Sequence, residues 1–113
     1  MSYKENKLNL FNSNIEKAIK CLKNKELDKA KEYIHSAIIE NDSSAEPHNL
    51  LGIYYELRGD LNLARKHYRA SISLDQTLKS ANNNLERVCV FKYICSEEYM
   101  DYGQDINQSK VNV

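Results

Sequence analysis

Apolar residues return every three or four positions along most of this chain, which is the spacing of one face of an α-helix. Leu8, Phe11, Ile15, Ala18, Ile19 and Leu22 form one such stripe and predict a helix from near Glu5 to Asn24. Leu27, Ala30, Ile34, Ala37 and Ile38 predict a second, reaching about Asn41. Leu50, Leu51, Tyr54, Tyr55 and Leu57 mark a third from about Ala45 to Arg58, and Leu61, Ala64, Tyr68, Ser71 or Ile72, and Leu74 mark a fourth. A fifth starts near Thr77, carries Leu78, Ala81, Leu85, Val88, Cys89 and Lys92 on one side, and is predicted to run to about Tyr99. Its Val88 to Cys95 stretch is apolar nearly all round, as in a helix covered on more than one side. From 101 to 113 the chain is polar and is predicted to be disordered.

The boundaries carry their own signals. Ser43 and Ser44 can accept the orphan amide bonds opening the third helix, Ser43 and Glu46 have capping-box spacing, and Pro47 falls where its missing N–H costs nothing. Gly59 can take the left-handed cap conformation, and Asp60 can cap the helix that follows. The earlier turn, Lys23-Asn24-Lys25-Glu26, occupies the equivalent place, with Asn24 as the candidate for the left-handed cap. If the third and fourth helices fold back on each other, Gly52 is placed to face Ala64 across a close approach.

Shifting the chain by 34 residues aligns Gly52 with Ala18, Leu61 with Leu27, Ala64 with Ala30, Ser71 with Ala37 and Ile72 with Ile38. Small residues fall on small and aliphatic on aliphatic. Shifted the other way, Leu51 meets Leu85, but Gly52 meets Glu86 and Tyr55 meets Cys89, so only the first helix of a third unit is kept. The order Leu51-Gly52, Tyr55, Gly59-Asp60, Ala64, Tyr68, Ser71, Leu74-Asp75 resembles the tetratricopeptide repeat, whose period is the same. His48 stands where that family often has tryptophan, and Gln76 where it often has proline.

The resemblance implies an all-α, right-handed superhelical stack of antiparallel helical hairpins, five helices with a long C-terminal capping helix. Its divisions are an extension over 1–10, repeats over 11–44 and 45–78, the capping helix over 79–100 and the tail over 101–113. It further implies a concave groove lined by the first helix of each pair, and an adaptor that holds a peptide or helix of another protein there. The groove positions are Ile15, Ile19 and Leu22, then Asn49, Ile53 and Glu56, then Asn83, Arg87 and Val90. Asparagine amides can bond an extended main chain in both directions, and Arg87 can fork onto a carboxylate. Some tetratricopeptide domains clamp a chaperone's terminal carboxylate with paired lysines and asparagines. At the matching positions stand Ile15, Ile19, Leu50, Ser80 and Asn84; only Asn84 suits that role, and the clamp is not expected.

Composition narrows the alternatives. With 113 residues the chain is one domain burying roughly 65% of its unfolded surface. About three repeats are usually needed for a stable stack, so two and a half leave an apolar helix to cover. Phe91, Tyr93 and Ile94 are the residues left over, either capping the stack or serving as a self-association surface for a homo-oligomer. The 16 basic and 16 acidic residues cancel, which disfavours nucleic acid, despite a basic group at Arg58, Arg65, Lys66, His67 and Arg69. Residues Met1 to Leu10 lack the apolar run of a signal peptide, and no stretch is long and apolar enough to span a membrane. Cys21, Cys89 and Cys95 are odd in number and lie at no metal-ligand spacing, which suggests a reducing cytoplasm. His35, His48 and His67 show no zinc-site spacing, and Gly52, Gly59 and Gly103 form no phosphate loop. No metal, cofactor or catalytic residue is expected; the reading is a binding module.

Overall fold

The computed structural model describes residues 3–90 and 97–104, with side chains from residue 6 onward. Five α-helices follow one another: α1 (Tyr3–Lys23), α2 (Leu27–Glu40), α3 (Glu46–Leu57), α4 (Leu61–Leu74) and α5 (Lys79–Val88). A short 3₁₀ turn, Glu97–Tyr99, comes after them, and there is no strand among the described residues. Three-residue turns fold α2 back on α1 and α4 back on α3; α2 also packs on α3, α4 on α5, and α3 touches both α1 and α5. One core runs through the whole, from Phe11, Ala18 and Leu22 through Ala30, Ile34, Leu50 and Ile53 to Ala64, Tyr68 and Val88.

The 34-residue period is visible in the backbone. Helices α2 and α4 begin and end 34 residues apart, and so do the ends of α1 and α3. Both hairpins turn through a positive φ, at Lys25 (63°) and Gly59 (85°). In both, the next amide reaches back five residues: Glu26 N–H donates to Cys21 O at 2.8 Å, and Asp60 N–H to Tyr55 O at 2.9 Å. This pairing closes a helix end whose carbonyls lack partners. The helices then stop alike, with Asn41 and Asp75 extended, each accepting at its Oδ1 from a backbone amide and hydroxyl two residues on (Ser43, Thr77).

Several local expectations are corrected. The left-handed residue of the first turn is Lys25, the register mate of Gly59, and not Asn24. Ser43 is engaged with Asn41, so α3 starts from Ala45 without a side-chain cap; the Ala45 carbonyl accepts from Ser71 Oγ at 2.8 Å. Gly52 makes room for the Tyr68 ring instead of Ala64: a Cβ built on Gly52 would fall 2.3 Å from Tyr68 Cε1. Leu8 and Leu74, placed inward by the pattern, are solvent-exposed; both lie at the open ends of their helices.

The largest correction concerns the last helix. It does not extend over 79–100; α5 stops at Val88, and the Cys89 N–H is shared between the Leu85 and Glu86 carbonyls. Residues 101–104, assigned to a disordered tail, are instead seated on the face formed by α1, α3 and α5, with Met100 and Tyr102 joining the core. Both side chains are buried there, a gain of about 1.5–3 kcal/mol for each large side chain. Residues 105–113, and Phe91, Tyr93 and Ile94 with them, lie outside the described residues.

Candidate functional site

Side chains from the first helix of each pair meet on one face, and all nine positions the repeat pattern assigned to the groove belong to those helices or, for Val90, follow α5 directly. They divide by chemistry. Ile15, Ile19 and Leu22 of α1 are buried in the core, as is Ile53 of α3. Asn49 and Glu56 are also buried, 1% and 2% exposed, while Arg87 is half-buried and Asn83 and Val90 are exposed.

The polar part is a connected network. Tyr68 Oη donates to Glu56 Oε1 at 2.7 Å, and the Arg87 guanidinium grips the same carboxylate with both terminal nitrogens, Nη2 to Oε1 at 2.8 Å and Nη1 to Oε2. Arg87 thus has the fork expected of it, but the carboxylate is the chain's own Glu56. Burial, followed by the adjoining Glu56 carboxylate, pushes the Tyr68 hydroxyl far above its ordinary range, so it serves as a fixed donor. Arg87 Nη2 also donates to Asn84 Oδ1 at 3.1 Å, linking the ion pair to the asparagines.

Asn49 and Asn84 hold a main chain. Asn84 Nδ2 donates to the Asp101 carbonyl at 2.8 Å and Asn49 Nδ2 donates to the same oxygen at 3.0 Å. The Asp101 N–H donates back to Asn84 Oδ1 at 2.9 Å. The two asparagines are bonded to each other, Asn84 Nδ2 to Asn49 Oδ1 at 2.9 Å, which fixes both amide orientations. Residue 101 is therefore read at its N–H and its C=O together, the pair of groups that every non-proline residue of an extended chain presents. No feature of that grip depends on the side chain at 101.

Side-chain contacts fix the rest of the segment. Asp101 accepts from Asn83 Nδ2 at 3.0 Å and from the Gly103 N–H at 3.0 Å; Gly103 has a φ of 87°, which only glycine takes at no cost. Toward α1, Lys23 Nζ sits 5.2 Å from the Tyr102 ring centre and donates to Gln104 Oε1 at 3.3 Å. Lys25 pairs with Glu97 at 2.6 Å. Burial pushes the Tyr102 hydroxyl up to about 12, with the Glu97 and Glu56 carboxylates adding to it.

No protein-family model, no curated protein and no solved structure matches this chain.

The nine positions assigned to the groove leave out Asn84, considered only for a carboxylate clamp, and the sequence pattern missed the lysines Lys23 and Lys25 and the segment seated on this face. A signal for the occupant was present: in Met100-Asp101-Tyr102-Gly103 apolar and polar residues alternate before a glycine, the period of an extended segment and not of a helix. Elsewhere, members of the basic group are held by internal contacts. Arg65 donates to the Val88 carbonyl and Asn62, Arg58 lies over the Tyr54 ring, and His67 stacks between His48 and Tyr55. No helix among the described residues is long and apolar enough to cross a membrane, and they include no group of three side chains suited to a metal ion.

Proposed function

We propose that this chain is a peptide-binding adaptor of the tetratricopeptide type, a right-handed stack whose concave face takes an extended segment of a partner protein. The observation that supports it is the Asn49–Asn84 pair, which bonds both main-chain groups of residue 101. Helix faces that exist only to close a core bury apolar side chains. A pair of interlocked amides aimed at a backbone is suited to holding chain of varied sequence, with apolar positions beside it for selection. The free thiols of Cys21 and Cys89 accord with a cytoplasmic setting for such an adaptor.

The test is selection of random octapeptides on the full chain, repeated on the Asn49→Leu/Asn84→Leu double variant. Replacing both amides together removes the grip without orphaning either one. Enrichment on the wild type that is lost on a double variant of unchanged helicity supports the reading. Peptides that bind both proteins alike, or no enrichment at all, would refute it.

A further inference from the structure

We propose that the segment 97–104 is a displaceable resident ligand of this groove, and that the groove selects partner segments of the same chemistry: an acidic residue between two large apolar ones, followed by glycine. This rests on the peptide-binding reading above. Three observations carry it. The bonds at Asp101 are of the kind any extended peptide can make, so the resident segment and an incoming one would compete for Asn49 and Asn84. Met100 and Tyr102, on either side of it, enter the core together with Ile15, Ile19 and Leu22, and this supplies side-chain selectivity that the backbone grip lacks. Two lysines border the segment, Lys25 paired with Glu97 and Lys23 over the Tyr102 ring.

The contacts at the margins are weak while those at the centre are specific, an arrangement suited to exchange. Lys25 and Glu97 each remain about half exposed (53% and 46%), and an exposed ion pair adds little. Tyr99 projects into water, and Gln104 is exposed, held by the long bond from Lys23 at 3.3 Å. A partner peptide therefore meets a groove already filled. Its apparent affinity is the intrinsic one multiplied by the fraction of molecules in which the resident segment has left. A tethered segment acts at an effective concentration on the order of millimolar, so only a peptide of closely matching chemistry displaces it.

The test uses a fluorescein-labelled peptide Glu-Glu-Tyr-Met-Asp-Tyr-Gly-Gln and the full chain, read by fluorescence polarisation. Asp101→Ala removes the bonds to Asn83 and Gly103 from the resident segment and leaves the groove intact. The labelled peptide is expected to bind this variant about tenfold more tightly than wild type, the scale of losing charge-assisted hydrogen bonds. Glu97→Lys, a surface change opposite Lys25 that leaves the core untouched, is expected to shift affinity in the same direction by about twofold, and serves where Asp101→Ala lowers helicity. A peptide with its aspartate changed to alanine should bind more weakly to all three proteins. Equal affinity of the labelled peptide for wild type and both variants would overturn occupancy by the resident segment and leave the adaptor reading standing. Failure to bind any of the three, alongside octapeptides that do bind through Asn49 and Asn84, would overturn the proposed chemistry of the partner.

Discussion

Where hairpin α1–α2 has Ala18 and Ile34, hairpin α3–α4 has Gly52 and Tyr68; where the first has Leu22, the second has Glu56. All six are buried. Their backbones turn and stop alike, so the main difference lies in what fills the same frame. In the first hairpin the frame is filled with hydrocarbon. In the second, one methyl is given up at position 52 to admit an aromatic ring, whose hydroxyl then meets a buried carboxylate. That carboxylate requires Arg87, and Arg87 orients Asn84. A volume exchange at one glycine thus has a polar network attached to it, and the network ends on the main chain of residue 101.

The sharpest way to break this contrast is at the ion pair. Arg87→Leu takes both guanidinium bonds from the buried Glu56 carboxylate and is expected to cost about 3–5 kcal/mol in urea denaturation. Glu56→Leu/Arg87→Leu, which gives α3 the residue α1 carries at Leu22, should recover part of that loss, the Tyr68 hydroxyl being left without its Glu56 acceptor. If the double variant is as unstable as the single one, the pair is not the unit described here.

Next comes the glycine. Gly52→Ala drives a methyl into the Tyr68 ring and is expected to cost about 1–3 kcal/mol. Adding Tyr68→Ile, the residue at the matching place in the first hairpin, should relieve the overpacking; thermal melts of the four proteins in the cycle give the coupling.

The turns predict opposite signs at equivalent positions. Gly59→Ala forces a side chain into the left-handed region and should destabilise by about 1 kcal/mol, whereas Lys25→Gly removes that strain and should stabilise by about 0.5–1 kcal/mol. The Lys25–Glu97 pair lost in the second case is too exposed to reverse the sign.

The smallest effect is on pH dependence. Burial holds His48 and His67 below the ordinary histidine range, and the neighbouring histidines depress His67 further. Both stay neutral in the fold while the unfolded chain takes up protons as pH falls below about 6.5. Their contribution to stability is therefore complete above that pH and lost on acidification through their depressed folded values. Melting temperature should fall between pH 7 and pH 5. His48→Asn/His67→Tyr, which restores the residues the first hairpin has at Asn14 and Tyr33, should flatten that slope.

Much of the frame was legible from residue type and spacing. Gly59, Asp60 and Pro47 occupy the roles their chemistry dictates, and the small residues Ala18, Ala30 and Ala64 are fully buried. The spacing was less informative where a position depends on a distant partner. Lys25 takes a conformation its own chemistry disfavours because the five-residue closure from Glu26 to Cys21 requires it. Glu56 and Arg87 are charged residues on helix faces, and only the tertiary structure reveals that they neutralise each other. The occupied face could not be read from helical periodicity, since its occupant follows a period of two after a break in the helix.

The matched connectors at Asn41 and Asp75 have a practical consequence. Each closes on itself, through bonds to the residue two places on, and makes no demand on the sequence of the helix it leaves. A duplicate of residues 41–74 spliced in after Leu74 would begin and end on compatible joints, and a longer array could be made in this way with the asparagine pair still at its far end.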